Sequence, residues 1–302
     1  MPSRVRYERL ATERVNPRSR HLDRLPPRAI ATLMNREDHR AVAAVGRVAP
    51  AIAAAVERIV TALSAGGRLF FVGAGTSGRL GVLEAAECPP TFGTPRSLVQ
   101  AIMAGGRSSV FRSREGAEDD AAAARRAVRG RVRRGDVVVG VSASGVTPFV
   151  RAALATAAAR GAATILVACN ATRTHGKALL VAPAPGPEVL AGSTRLKAGT
   201  ATKLVLNTLT TASMTRLGKV YGHRMVDLQP RSAKLRARAE RLVAEIANVR
   251  PPRARRLLRE ARGSVRVAIV MARRTLPADA AARALRAAGG SLRSVLEHPP
   301  AP

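Results

Sequence analysis

The residues best suited to chemistry fall in four short segments. The first is FVGAGTSGRLG, Phe71–Gly81. A short apolar run there ends in Gly73-Ala74-Gly75-Thr76-Ser77-Gly78, and a helix pattern follows from Ser77 to Glu87. Glycines permit a tight turn and close backbone approach, and Thr76 and Ser77 bring hydroxyls to a helix N-terminus, a setting that suits an anion. No GKS or GKT follows, so this is not a P-loop. Gly73, Gly75 and Gly78 match GxGxxG spacing, but no acidic ribose partner ends the next strand. Spacing alone leaves two readings open, a phosphate site and a structural glycine turn.

The second segment, DVVVGVSASGVTP (Asp136–Pro148), places Ser142, Ser144 and Thr147 around Gly145 before another helix. Two such loops at the carboxyl ends of parallel strands converge on one crevice, which points to a phosphorylated small molecule. The third segment is acidic: Glu84 and Glu87 follow the first loop, the latter within AAECPPTFG, and Glu115 and Glu118 lie in REGAEDD. Glu118, Asp119 and Asp120 would serve equally well as complements to a helix dipole, and Glu87 as a plain surface carboxylate. At the edge of a phosphate-binding sheet either glutamate is also placed for acid/base work. The fourth, Gly186–Asn207, carries Glu188, Ser193, Thr194, Arg195 and Lys197 ahead of a long helix. Arg195 and Lys197 suit a phosphate or carboxylate, or the capping and solvation of the helix start. The density of small polar residues favours a functional loop.

The elements that would position these groups alternate. Apolar spacing predicts a short helix near Arg28–Asn35 and another from Asp38 to Ser64. Strands are expected at Arg68–Val72, Leu98–Met103, Asp136–Val141, Ala163–Cys169 and Ala178–Ala182, with helices at Asp119–Val128, Thr147–Arg160 and Gly199–Leu217. Near-continuous Val, Ile, Leu and Phe in these strands indicate a parallel sheet covered on both faces, an α/β doubly wound architecture. After Asp227 the chain turns to Arg/Ala-rich helices, the last a short one set off by Gly289-Gly290, which predicts a small C-terminal all-helical domain. The expected organisation is an N-terminal extension and helix (residues 1–50), a sugar-phosphate-binding domain (51–230) and the helical domain (231–302).

Composition narrows the function further. The 302 residues carry 51 Lys and Arg against 20 Asp and Glu, a net charge of +31. Such a charge suggests nucleic acid, an acidic membrane or an anionic substrate. Lys occurs only at Lys177, Lys197, Lys203, Lys219 and Lys234, and the Ala-, Arg- and Val-rich bias fits a GC-rich coding sequence better than a polyanion-binding surface. Aromatics are 2% and Trp is absent, so the stacking platforms of single-strand binders are missing. No nucleic-acid partner is expected. No apolar run reaches the ~20 residues of a membrane span, and residues 1–10 lack an apolar signal core, so a cytoplasmic protein is expected. Cys88 and Cys169 fit neither a disulfide framework nor a zinc spacing, and His21, His39, His175, His223 and His298 form no metal-binding pattern. No metal is expected.

Taken together, the segments resemble the N-acetylmuramic acid 6-phosphate etherases, a branch of the sugar isomerase (SIS) fold group. The resemblance is carried by TERVNPRSRHLD, LMNREDHRAVAAV, VGAGTSGRLGVLEAAECPPTFGT, REGAEDD, VVVGVSASGVTPFV and the run from Gly186 to Pro230, and by GGSLRSVL in the tail. It implies an SIS-type sheet and a lyase that splits the D-lactyl ether of N-acetylmuramic acid 6-phosphate, by elimination and then hydration of the open-chain aldehyde, in cell-wall sugar recycling. It also implies Glu87 (in ECPP) and Glu118 (in EGAED) as the catalytic carboxylates, one needed as an acid and one as a base. Substrate and phosphate contacts map to Thr76, Ser77, Gly78, Ser142, Ser144, Gly145, Thr147, Ser193 and Lys197. No cofactor is implied, and a homodimer with its site near the interface is, so that Lys197 or Arg195 would come from the neighbouring chain. The chain departs from the family's AASGRTP loop, having Ser142 for the first Ala and Val146 for Arg, and Ala171 replaces the usual Pro after Asn170. The alternative reading is a non-catalytic sugar-phosphate sensor related to glucokinase regulatory protein, which would have no need of Glu87. A sugar-phosphate isomerase leaves AAECPP and the tail unexplained, and a regulator would add a helix-turn-helix where residues 1–50 are broken by prolines.

Overall fold

The computed structural model describes residues 8, 10–171, 176–228, 230 and 232–297. The N-terminal seven residues, His175 and His298 lie outside that set. The chain divides into two compact units, residues 1–86 with 96–210 and residues 87–95 with 211–302.

The first unit is built on five parallel strands: β1 (Leu69–Gly73), β2 (Val99–Met103), β3 (Val137–Ser142), β4 (Ala163–Ala168) and β5 (Leu179–Val181). Their order is β2-β1-β3-β4-β5. Each expected strand is present, with no end moved by more than one residue. Helices α1 (Pro27–Arg47), α2 (Ala49–Ser64), α3 (Gly75–Phe92), α4 (Ala121–Arg131), α5 (Pro148–Ala159) and α6 (Lys197–Arg216) accompany them. Alternation along the strands splits the core. Phe70, Val72 and Val138 pack with Val128, Phe149 and Leu154 of α4 and α5. Phe71 points the other way: a Cβ on Gly81 of α3 would sit 2.7 Å from its Cβ. Gly140 is likewise obligatory, because a Cβ there would meet Val150 at 2.7 Å and Leu154 at 2.8 Å. Full burial of such side chains contributes about 1.5–3 kcal/mol each. At the opposite edge from the loops, buried Asp136 accepts from Arg68 Nη2 at 2.7 Å and from the Arg133 amide at 2.9 Å.

Two sequence expectations change. The polar run NREDHR does not interrupt the first helix, since α1 is continuous from Pro27 to Arg47. Its Glu37 is buried by a distant partner, which no local pattern reveals. Helix α3 begins at Gly75 and runs through Pro89 and Pro90 to Phe92. A proline donates no N–H, so the carbonyls of Ala85 and Ala86 lose their helical partners at the ECPP motif.

The second unit holds a hairpin of β6 (Val220–Tyr221) and β7 (Arg224–Met225), which the sequence reading missed, and helices α7 (Ala233–Ala247), α8 (Pro251–Glu260), α9 (Val265–Arg274), α10 (Ala278–Ala287) and α11 (Leu292–Glu297). Leu242, Val243, Leu257, Ile269 and Leu285 fill its core. Ser232 and Ser264 cap α7 and α9 by accepting from the Leu235 and Val267 amides at 3.2 and 3.3 Å. Among the described residues no helix is long and apolar enough to cross a membrane.

Candidate active site

The chain leaves β1 in one direction to form β2 and returns on the other side of β1 to form β3. That reversal opens a crevice at the carboxyl ends of β1 and β3. Register pairs Gly73 with Val141, so the two hydroxyl-rich loops leave the sheet side by side, about 4.8 Å apart.

The first loop is glycine-rich for steric reasons. A Cβ on Gly73 would lie 2.7 Å from the Gly78 nitrogen, one on Gly78 would lie 2.6 Å from the Gly73 oxygen, and Gly75 has φ +52°. This close approach folds Thr76 and Ser77 into the first turn of α3, where backbone N–H groups lack helical acceptors. Both residues are half-buried.

In the second loop three hydroxyls form one cluster. Ser142 Oγ lies 2.8 Å from Thr147 Oγ1 and 3.3 Å from Ser144 Oγ, and accepts from the Gly145 amide at 3.0 Å. Gly145 has φ +74°, which the turn requires. Val146, within this loop, is 8% exposed. Asn170, two residues past β4, pins this loop by donating to the Ala143 carbonyl at 2.9 Å and to Thr12 Oγ1 at 3.2 Å, while its Oδ1 accepts from the Ala11 amide at 2.7 Å.

Glu118 is exposed, and the segment carrying it is anchored by the Phe149 amide, which donates to the Glu118 carbonyl at 2.9 Å. Glu118 lines a cavity of about 270 Å³ with Gly75, Arg79, Ser109, Arg114 and Glu115. Arg79 closes that cavity by donating to the carbonyls of Val110 and Ser109 at 2.8 and 2.9 Å. The first loop and Glu118 are therefore brought together. Glu87 is exposed on α3 and belongs to the second compact unit. Its helical neighbour Glu84 is buried, ion-paired to Lys203, and accepts from Thr210 Oγ1 at 2.7 Å.

Lys197 is placed differently from a simple surface ligand. It is 2% exposed, and its ammonium sits 2.5 Å from Glu37 Oε2, which also accepts from Asn16 Nδ2 at 2.9 Å. Burial pushes the Glu37 carboxyl up, but hydrogen bonds from Lys197 and Asn16 and the charges of Lys197 and Arg40 outweigh it and hold the group below its ordinary value. Fully buried Glu188 caps α6, accepting from the Lys197 and Ala198 amides at 2.9 Å each. Its burial dominates and pushes its carboxyl up. Ser193 is half-buried in the turn before this helix, and Arg195 is exposed. Glu37, Asn16, Thr12 and Asn170 were not singled out by sequence reasoning. The one local signal for Thr12, Asn16 and Glu37 was their position within the TERVNPRSRHLD and LMNREDHR runs, and Asn170 lies outside both. Burial pushes the Cys169 thiol up to about 12, which keeps it protonated and inert. Among the described residues no cluster of His, Cys, Asp and Glu suits a metal ion.

The glucokinase regulatory protein N-terminal SIS domain model matches residues 51–158. Curated relatives named N-acetylmuramic acid 6-phosphate etherase include one from Geobacillus thermodenitrificans, 48% identical over 96% of this chain and 99% of its own. Another, from Gloeobacter violaceus, is 50% identical over 95% of each. That of Synechocystis is 46% identical over 99% of this chain and 100% of its own. Among solved structures, a phosphoheptose isomerase from Neisseria gonorrhoeae superposes with a TM-score of 0.46 at 18% identity, covering 62% of this chain and 98% of that one. With nearly half of all residues identical from end to end, the chain belongs to the N-acetylmuramic acid 6-phosphate etherase family.

Proposed function

We infer that this chain is a carbon–oxygen lyase that cleaves the D-lactyl ether of N-acetylmuramic acid 6-phosphate to N-acetylglucosamine 6-phosphate and D-lactate, a step of amino-sugar recycling. The observation that carries this is 46–50% identity to etherases over 95% or more of this chain. The crevice supports it. Thr76, Ser77 and Gly78, with Ser142, Ser144, Gly145 and Thr147, offer hydroxyls and backbone N–H groups to a phosphate, and Ser193 and Lys197 lie at the start of α6, beyond them in sequence. The network of Lys197, Glu37 and Glu188 holds that start in place. A homodimer acting in the cytoplasm belongs to the same proposal.

The open-chain aldehyde at C1 acidifies C2, so the substrate supplies the electron sink itself. A proton leaves C2, the C3–O bond breaks as the C2–C3 double bond forms, and lactate departs with a proton on the former ether oxygen. Water then adds at C3 and C2 regains a proton. Glu87 is assigned to donate the proton to the ether oxygen, and Glu118 to the second carboxylate role at carbon or water. Carboxylates in such roles contribute about 10²–10⁴-fold each.

The test is to incubate the purified protein with N-acetylmuramic acid 6-phosphate and assay D-lactate enzymatically. Equimolar lactate and N-acetylglucosamine 6-phosphate are expected, with turnover down at least ~10²-fold in Glu87→Gln and in Glu118→Gln. Near-normal turnover in both variants would remove the residue assignment. Binding of the sugar phosphate with no release would make the protein a sensor instead.

A further inference from the structure

The Ala143 carbonyl accepts two hydrogen bonds, from the Cys169 amide and from Asn170 Nδ2, each at 2.9 Å. Two donors occupy both lone pairs of a carbonyl and so fix the plane of the peptide that follows it. In a trans peptide the N–H points opposite to the C=O. The Ser144 N–H is therefore turned away from Asn170, and it has no acceptor among the described residues. The amides beside it are satisfied, Gly145 by Ser142 Oγ and Val146 by Ser144 Oγ. One aimed and unpaired N–H thus stands in the loop that gathers the hydroxyls of Ser142, Ser144 and Thr147.

Asn170 is itself held from the N-terminal segment. Its Oδ1 accepts from the Ala11 amide at 2.7 Å and the Thr12 amide at 3.4 Å, and its Nδ2 donates to Thr12 Oγ1 at 3.2 Å. With the Ala143 bond, both lone pairs and both donors of the side-chain amide are in use, which leaves it a single orientation. Asn170 is 3% exposed and Thr12 0%, where an unmet polar group is costly. Thr12 also reaches the loop before α6, because its carbonyl accepts from the Gly192 amide at 3.2 Å, next to Ser193. Residues 11–13 form one short 3-10 turn. Such a turn has little rigidity of its own, so these bonds set its place.

We propose that Asn170 and Thr12 are positioning residues for the sugar phosphate: by holding the Ala143 carbonyl they aim the Ser144 N–H at a phosphate oxygen. The proposal rests on the reading of the second loop as a phosphate site. Neither side chain touches the substrate, and each acts through the orientation of one peptide. A donor aimed in advance spares the cost of ordering the loop on binding. The effect therefore falls on affinity, and not on the proton transfers assigned to Glu87 and Glu118.

Steady-state D-lactate kinetics test this together with titration calorimetry of the full chain, using N-acetylglucosamine 6-phosphate as the probe. Asn170→Ala should raise KM and the probe's Kd about tenfold, with kcat within about twofold of wild type. Thr12→Val, which keeps the side chain's shape and loses the hydroxyl, should raise both about threefold, and Thr12→Ser should restore them. Ser264→Ala, which removes the cap of α9, should lower the thermal midpoint and leave KM and Kd unchanged. Wild-type KM and Kd in both Asn170→Ala and Thr12→Val would overturn the proposal, as would a loss of kcat at unchanged KM. A wild-type chain that binds the probe but releases no lactate would remove the lyase reading alone, and the Kd values would still decide the roles of Asn170 and Thr12. A wild-type chain that does not bind the probe would overturn both.

Discussion

Replacing Lys197 by Met separates two roles for one side chain. In the structure its ammonium neutralises Glu37, both groups being almost wholly buried. Removing one partner of a buried ion pair typically costs about 3–5 kcal/mol, because the other charge stays behind. Asn16 at 2.9 Å and Arg40 at 3.1 Å still serve Glu37, so the lower end, about 3 kcal/mol, applies here. At about 2–4 °C per kcal/mol, the thermal midpoint should fall by roughly 6–12 °C. The pH dependence follows from the depressed Glu37 pKa. Its contribution is fully present above the unfolded value of 4.5 and is lost as pH falls through the lower folded value. Lys197→Met should move that loss to higher pH, and Glu37→Gln should abolish the difference between the two backgrounds. Thermal melts across pH 3.5–8, with steady-state kinetics on the same samples, provide the assay. An unchanged midpoint with a sharply raised KM would refute the reasoning and return the ammonium to the substrate.

Three further outcomes are expected. Gly73→Ala forces a Cβ to 2.7 Å from the Gly78 nitrogen, so the first loop must shift; kcat/KM should fall about 10²-fold, measured by D-lactate release. Ser142→Ala removes the hub of the second loop's hydroxyl cluster and should raise KM about tenfold while costing about 1–2 kcal/mol in denaturant unfolding. Native protein at pH 8 should leave Cys169 unreactive to a thiol reagent, since its pKa of about 12 leaves on the order of 10⁻⁴ as thiolate, and denaturation should expose both cysteines.

The sheet was legible because its strands read as nearly continuous apolar runs, two of which, β1 and β3, end in glycine and hydroxyl residues. The crevice followed from topology, since two such loops on neighbouring parallel strands meet without any knowledge of side-chain contacts. Helix continuity through NREDHR was not legible, because Glu37 is held by Lys197, 160 residues away. The same pairing hid the surroundings of Lys197, whose neighbours in sequence resemble a surface loop. Asn170 and Thr12 are 158 residues apart, and their hydrogen bonds tie an irregular N-terminal segment to the second loop. The β6–β7 hairpin was missed because two residues per strand are too few to show alternation.

The most direct test of the central claim is the fate of solvent oxygen. In H₂¹⁸O, elimination followed by hydration predicts one ¹⁸O at C3 of N-acetylglucosamine 6-phosphate, unlabelled D-lactate, and, in D₂O, deuterium at C2. Incorporation of ¹⁸O into D-lactate, with none at C3 of the sugar, would contradict it.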